Sequence, residues 1–82
     1  MEILVLGTGC AKCSELYDLA RRAAERAGVG EEAVGKIEDV DAILAHGVMM
    51  TPALVVDGEV KSTGRLPDEE QVVAWIAEAG GR

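Results

Sequence analysis

Apolar residues recur along this chain with different periods, and each period predicts a different element. Ile3-Leu4-Val5-Leu6 is an unbroken apolar run between Glu2 and Gly7, so residues 2–6 are expected to form a strand buried on both faces. From Cys10 to Ala27 the spacing changes. Leu16, Leu19, Ala20, Ala23, Ala24 and Ala27 recur at three- and four-residue intervals, the pattern of a helix with one apolar face, and Gly28 is a natural terminator. The alanines allow this helix to approach a sheet closely. Asp18 with Arg22, and Arg21 with Glu25, stand four apart and are expected to pair on its wet face.

Beyond a Gly-rich connection, Ala33 to Glu38 predicts a second strand. Asp39 can cap a short helix through Ala45, with Ile43 and Leu44 facing inward and Gly47 ending it. His46 falls in its last turn, where an imidazole favours the helix terminus; it is given a capping role and no chemical one. Ala53-Leu54-Val55-Val56 is the next strand, Asp57-Gly58 a two-residue hairpin turn, and Glu59 to Thr63 the returning strand. Asp68 opens a final helix, with Gln71 as the other half of a capping box. Val72, Trp75, Ile76 and Ala79 form its apolar stripe, with Trp75 as a packing anchor, and Gly80-Gly81 ends it. The order β-α-β-α-β-β-α, with helices covering a mixed four-stranded sheet, predicts an α/β sandwich forming one domain over residues 1–82.

Composition narrows the function. Hydrophobic residues make up 49% of the 82 positions but aromatics only 2%, so the core is aliphatic. The formal net charge is −7 and basic residues never cluster, which argues against nucleic acid or an anionic membrane as partner. Acidity of this size favours a soluble monomer. No apolar run reaches membrane-spanning length, and a chain opening on a strand leaves no room for a cleaved leader; a cytoplasmic location is expected.

The chemistry lies in Cys10-Ala11-Lys12-Cys13, which holds the only two cysteines. They follow the first strand and the Gly7-Thr8-Gly9 bend and open the long helix. Cys10 is therefore expected at a helix N-terminus, where unpartnered N–H groups favour a thiolate over a thiol, and Lys12 adds a positive charge nearby. Cys13, one turn further on, can attack a mixed disulfide formed at Cys10. A bridge closing so small a loop constrains the unfolded chain little, and in a reducing compartment a lone pair serves catalysis or metal binding more often than structure. The second informative run is Val48-Met49-Met50-Thr51-Pro52, which puts a proline immediately before a strand.

Cys10-x-x-Cys13 and Thr51-Pro52, in this order and topology, resemble the thioredoxin-like superfamily, and within it the small, glutaredoxin-sized redox-active disulfide proteins. The run Thr51 to Gly58, then Gly64 and a closing helix, resembles their second half. The resemblance implies a thioredoxin-like fold and a thiol–disulfide oxidoreductase. Cys10 would be the attacking thiol and Cys13 the resolving one, with the Cys10–Cys13 couple as redox group and no other cofactor or metal. Thr51-Pro52 would be a cis bond facing the cysteines, the Thr51 backbone would pair with an extended substrate, and Gly64 would leave room beside the site. Partners would be disulfide-containing proteins and a reductase or thiol donor. The chain departs from the family pattern in lacking tryptophan and Gly-Pro around the cysteines, a carboxylate in the first strand, and a recognisable glutathione clamp.

A soft-metal carrier is the alternative, since Gly-x-Gly-Cys-x-x-Cys resembles heavy-metal-associated domains and thiolates suit Cu(I) or Zn. Those domains run β-α-β-β-α-β and lack a counterpart of Thr51-Pro52. Met49 and Met50 suit an adaptable apolar rim better than a ligand pair. Dinucleotide binding through Gly7-Thr8-Gly9 is rejected, because the fingerprint needs glycine where Lys12 stands.

Overall fold

A computed structural model describes residues 1–80. The elements are β1 (Ile3–Leu6), α1 (Ala11–Arg26), β2 (Val34–Ile37), α2 (Val40–Ala45), β3 (Ala53–Val56), β4 (Glu59–Thr63) and α3 (Glu69–Gly80). Glu31–Ala33 forms a 3-10 turn, so the second strand begins at Val34 and stops before Glu38. The expected helix stop at Gly80-Gly81 is met only in part: α3 includes Gly80, and Gly81 lies outside the described residues.

The four strands form one mixed sheet in the order β2-β1-β3-β4, the arrangement expected of a thioredoxin-like α/β fold. β1 pairs parallel with β2, Val5 opposite Lys36, and antiparallel with β3, Leu6 opposite Ala53. Asp57 and Gly58 both take positive φ, as the tight turn between β3 and β4 requires. The bulge falls at Lys61, because Val55 pairs with Val60 while Leu54 pairs with Ser62.

Alternation along the strands divides the core. Ile3, Val5, Val34, Leu54 and Val56 face α1 and α3, meeting Leu16, Ala20, Ala23, Val72 and Ile76; Trp75 packs at the margin of this layer. Leu6, Ala53 and Val55 face the other way and meet Ile43 of α2 and Val48. The two long helices therefore share one face, and α2 covers the other. Leu44 does not turn inward as expected but is 51% exposed. Successive helical residues point about 100° apart, so a single short helix can aim only Ile43 at the sheet. Leu44 joins Val40 on the outer side.

The expected pairs within α1 are replaced by longer-range ones. Arg21 Nη2 lies 2.8 Å from Glu31 Oε1, and Arg22 Nε lies 2.9 Å from Glu69 Oε1. Arg26 reaches Glu69 Oε2 at 3.0 Å and also bonds Glu70. Glutamates at the start of α3 benefit from its terminal N–H groups while drawing the arginines across, which an acid within α1 cannot match. The Arg22 and Arg26 guanidiniums hold the Glu69 carboxyl below its ordinary range, and Glu70, then Glu69, raise Arg26.

Sheet polarity fixes where the functional groups can gather. β1 and β2 end, β3 begins and β4 ends at the same edge. The Gly7–Cys10 connection, Glu38, Thr51-Pro52 and Gly64 all leave the sheet there.

Candidate active site

Cys10 is the N-cap of α1, with extended backbone angles of −73° and 167°, and its Sγ accepts a hydrogen bond from Cys13 N at 3.2 Å. The first turn contains no acid, and Lys12 is exposed on it. The cap thus turns the Cys13 amide toward the Cys10 sulfur and sets a cation nearby, both of which favour a thiolate there. Cys10 and Cys13 are disulfide-bonded with their Cα atoms 5.0 Å apart. Their exposure differs sharply. Cys10 is at the surface, whereas Cys13 is only 6% exposed on the apolar side of the helix.

What makes room for Cys13 is Gly7, the first residue after β1. Its N–H donates to Ile37 O at 2.9 Å, which holds it beside β2, and a Cβ placed on it would overlap Cys13 Sγ. The sequence marked Gly7 as part of a bend; its specific role is to let a sulfur lie against the backbone.

Thr51-Pro52 is at the same sheet edge. Leu6 pairs with Ala53, so Gly7 and Pro52 are the next residues outward on adjacent strands. The Thr51–Pro52 bond is cis, Pro52 is fully buried, and Thr51 is half-buried with no backbone hydrogen bond among the described residues. Gly64 N donates to Pro52 O at 2.8 Å, tying the end of β4 to this loop. Gly64 has φ +69°, and a Cβ there would stand 3.2 Å from Met50 Cβ and 3.0 Å from Met50 Cε. Met50 therefore lies across Gly64, with Met49 beside it in sequence; the two are 62% and 88% exposed.

A small cleft opens beside Cys13, lined by Val5, Gly7, Gly9, Cys13, Ser14, Lys36 and Glu38. Lys12, Thr51, Pro52 and Gly64 lie outside it. Ser14, Lys36 and Glu38 were not singled out from the sequence. The available signal was topological: a strand pairing parallel beside β1 must deliver its C-terminal residues to the end from which α1 starts.

Two cysteines in this placement can exist as a bridge or as a dithiol, and interconversion of those states is thiol–disulfide exchange. The comparisons with known proteins agree with that chemistry. The chain belongs to the thioredoxin-domain family, whose model matches residues 1–77. It is 42% identical over 72 residues to a thioredoxin of Methanothermobacter thermautotrophicus, covering 88% of this chain and 92% of that one. A thioredoxin of Methanocaldococcus jannaschii is 36% identical over 70 residues, covering 85% of this chain and 79% of that one. The protein is a thioredoxin-like disulfide oxidoreductase. No helix among the described residues is long and apolar enough to cross a membrane.

Proposed function

We propose that the chain reduces or exchanges disulfides in protein substrates, as one domain, and is returned to the dithiol by a reductase or thiol donor in a reducing cytoplasm. The unequal burial of Cys10 and Cys13 carries this reading. Cys10 thiolate attacks one sulfur of a substrate disulfide, and the other substrate sulfur leaves as a thiol. Cys13 then attacks Cys10 Sγ, forming the Cys10–Cys13 bridge and expelling the second substrate thiol. Two electrons and two protons pass from the dithiol to the substrate, with no other redox cofactor.

Several features support a polypeptide substrate. Thr51 offers backbone groups that have no backbone partner among the described residues, as an added extended segment needs. Pro52 and Gly64 hold that loop beside the cysteine edge, and Met49 and Met50 supply an adaptable apolar rim. Lys12 contributes positive charge near the attacking sulfur.

The metal-carrier alternative meets a short donor set: among the described residues no three His, Cys, Asp or Glu side chains are grouped to hold an ion. Turnover of a disulfide-containing polypeptide with a dithiol donor tests the proposal. Wild-type protein should accelerate reduction and Cys10→Ser should not; equal rates for the two would overturn it.

A further inference from the structure

The space that Gly64 leaves beside the site is filled by the chain itself. A Cβ on Gly64 would stand 3.0 Å from Met50 Cε and 3.5 Å from Met50 Sδ, so a thioether lies where the sequence predicted open room. Gly64 N–H donates to Pro52 O, and Met50 directly precedes Thr51, whose backbone has no backbone partner among the described residues. A polypeptide laid along Thr51 therefore meets the Met50 side chain. Met50 is 62% exposed and Met49 is 88% exposed, so both side chains are open to small solutes. The third methionine, Met1, is at the opposite end of the sheet. It precedes β1, whose last residue marks the site edge, and its Cε lies against Gly80 of α3.

The state of the cysteine pair decides which sulfur an oxidant meets. Oxidation of cysteine begins at the thiolate, and the Cys10–Cys13 bridge holds none. The thioethers at the rim are then the sulfurs left to oxidise. A sulfoxide is polar where the thioether was apolar and adaptable, and such a change disrupts contact surfaces built on methionine.

We infer that Met50 is a site of modification by peroxides which controls polypeptide binding: as the sulfoxide it weakens docking at Thr51-Pro52 and leaves the cysteines intact. The lone pair of Met50 Sδ attacks one peroxide oxygen, and the S–O bond forms as the O–O bond breaks. The other oxygen takes the proton and leaves as water, or as an alcohol from an organic hydroperoxide. Sulfur loses two electrons and the peroxide gains them, so the peroxide is the one co-reactant. Met49 oxidises alongside, but the contact with Gly64 belongs to Met50. The change outlasts turnover of the cysteine pair, because dedicated reductases restore a sulfoxide.

This inference rests on the polypeptide-substrate reading above, and its test lets the two fail separately. Full-length protein in the disulfide form is treated with hydrogen peroxide until peptide mass spectrometry shows sulfoxide at Met49 and Met50. It is then freed of peroxide and assayed with a dithiol donor on a disulfide-containing polypeptide and on the small neutral hydroxyethyl disulfide. Treatment should raise KM for the polypeptide about fourfold, the worth of roughly one buried methylene, with kcat and the small-disulfide rate unchanged. Met50→Leu should keep its untreated KM after the same exposure, because leucine has no sulfur to oxidise, whereas Met49→Leu should remain sensitive. An unchanged KM with Met50 fully oxidised, an equal rise in Met50→Leu, or a parallel fall in both substrate rates would overturn the role of Met50. Failure of untreated wild-type protein to reduce the polypeptide while it reduces hydroxyethyl disulfide would overturn the polypeptide reading instead.

Discussion

Cys10 Sγ and Cys13 N are joined by a hydrogen bond of 3.2 Å, so the sulfur that begins the reaction is held by the amide of the residue that ends it. The same bond caps α1. A negative charge on Cys10 strengthens it, because hydrogen bonds to ionised acceptors are roughly twice as strong as neutral ones. Helix initiation and thiolate stabilisation are therefore one interaction. Substitution at Cys10 must be judged with a fold control, and Cys10→Ser is the suitable variant because serine is itself a good cap.

Gly7→Ala tests the packing behind Cys13. A methyl group would overlap Cys13 Sγ and stand 3.0 Å from Cys13 Cβ, and the site is walled by β1 and β2. Overpacking of this kind costs about 1–3 kcal/mol. Urea unfolding of the oxidised protein should show a loss in that range, together with faster alkylation of Cys13 in the reduced form. An unchanged midpoint would mean that the sulfur can move aside freely.

The bridge between α1 and α3 predicts a response to acid. Arg22 and Arg26 lower the Glu69 carboxyl in the folded state, so its contribution is complete above the unfolded carboxyl value of about 4.3. It fades as pH falls through the lower folded value. Urea midpoints measured from neutral pH downward should fall less steeply for Glu69→Gln than for wild type. Parallel curves would show that the pairs make no difference to folding.

Metal content separates the two functions of a CxxC pair. Protein purified without chelator should contain far less than one Cu or Zn per chain by elemental analysis, because two sulfurs leave a tetrahedral site incomplete. One ion per chain or per dimer that survives a competing chelator would favour the carrier.

Much of this architecture was readable in the chain. The apolar run at Ile3–Leu6, the helical spacing after Cys10 and the Asp57-Gly58 turn are local patterns, and each element formed near its expected place. The departures have a common cause. Leu44 and Ile43 are equally apolar, and only the position of the sheet selects Ile43 for burial. Arg22 has Asp18 within reach along its own helix, but Glu69 becomes its partner once α3 docks. Glu38 gains interest solely from the β1–β2 register, which carries it to the Cys13 cleft. At the site, the cysteines and Thr51-Pro52 stood out by spacing and resemblance. Gly7 did not, because what it accommodates is a sulfur six residues away.

The most direct test of the account is the unequal division of labour between the cysteines. Reduced wild-type protein, Cys10→Ser and Cys13→Ser are each mixed with a model peptide disulfide, quenched by acid and weighed by intact mass spectrometry. Cys13→Ser should accumulate a covalent adduct at Cys10, because attack proceeds and closure cannot. Cys10→Ser should form almost none, since its remaining sulfur is buried, and wild type should pass directly to the Cys10–Cys13 disulfide. Adduct formation by Cys10→Ser at a rate equal to or above that of Cys13→Ser would contradict the assignment.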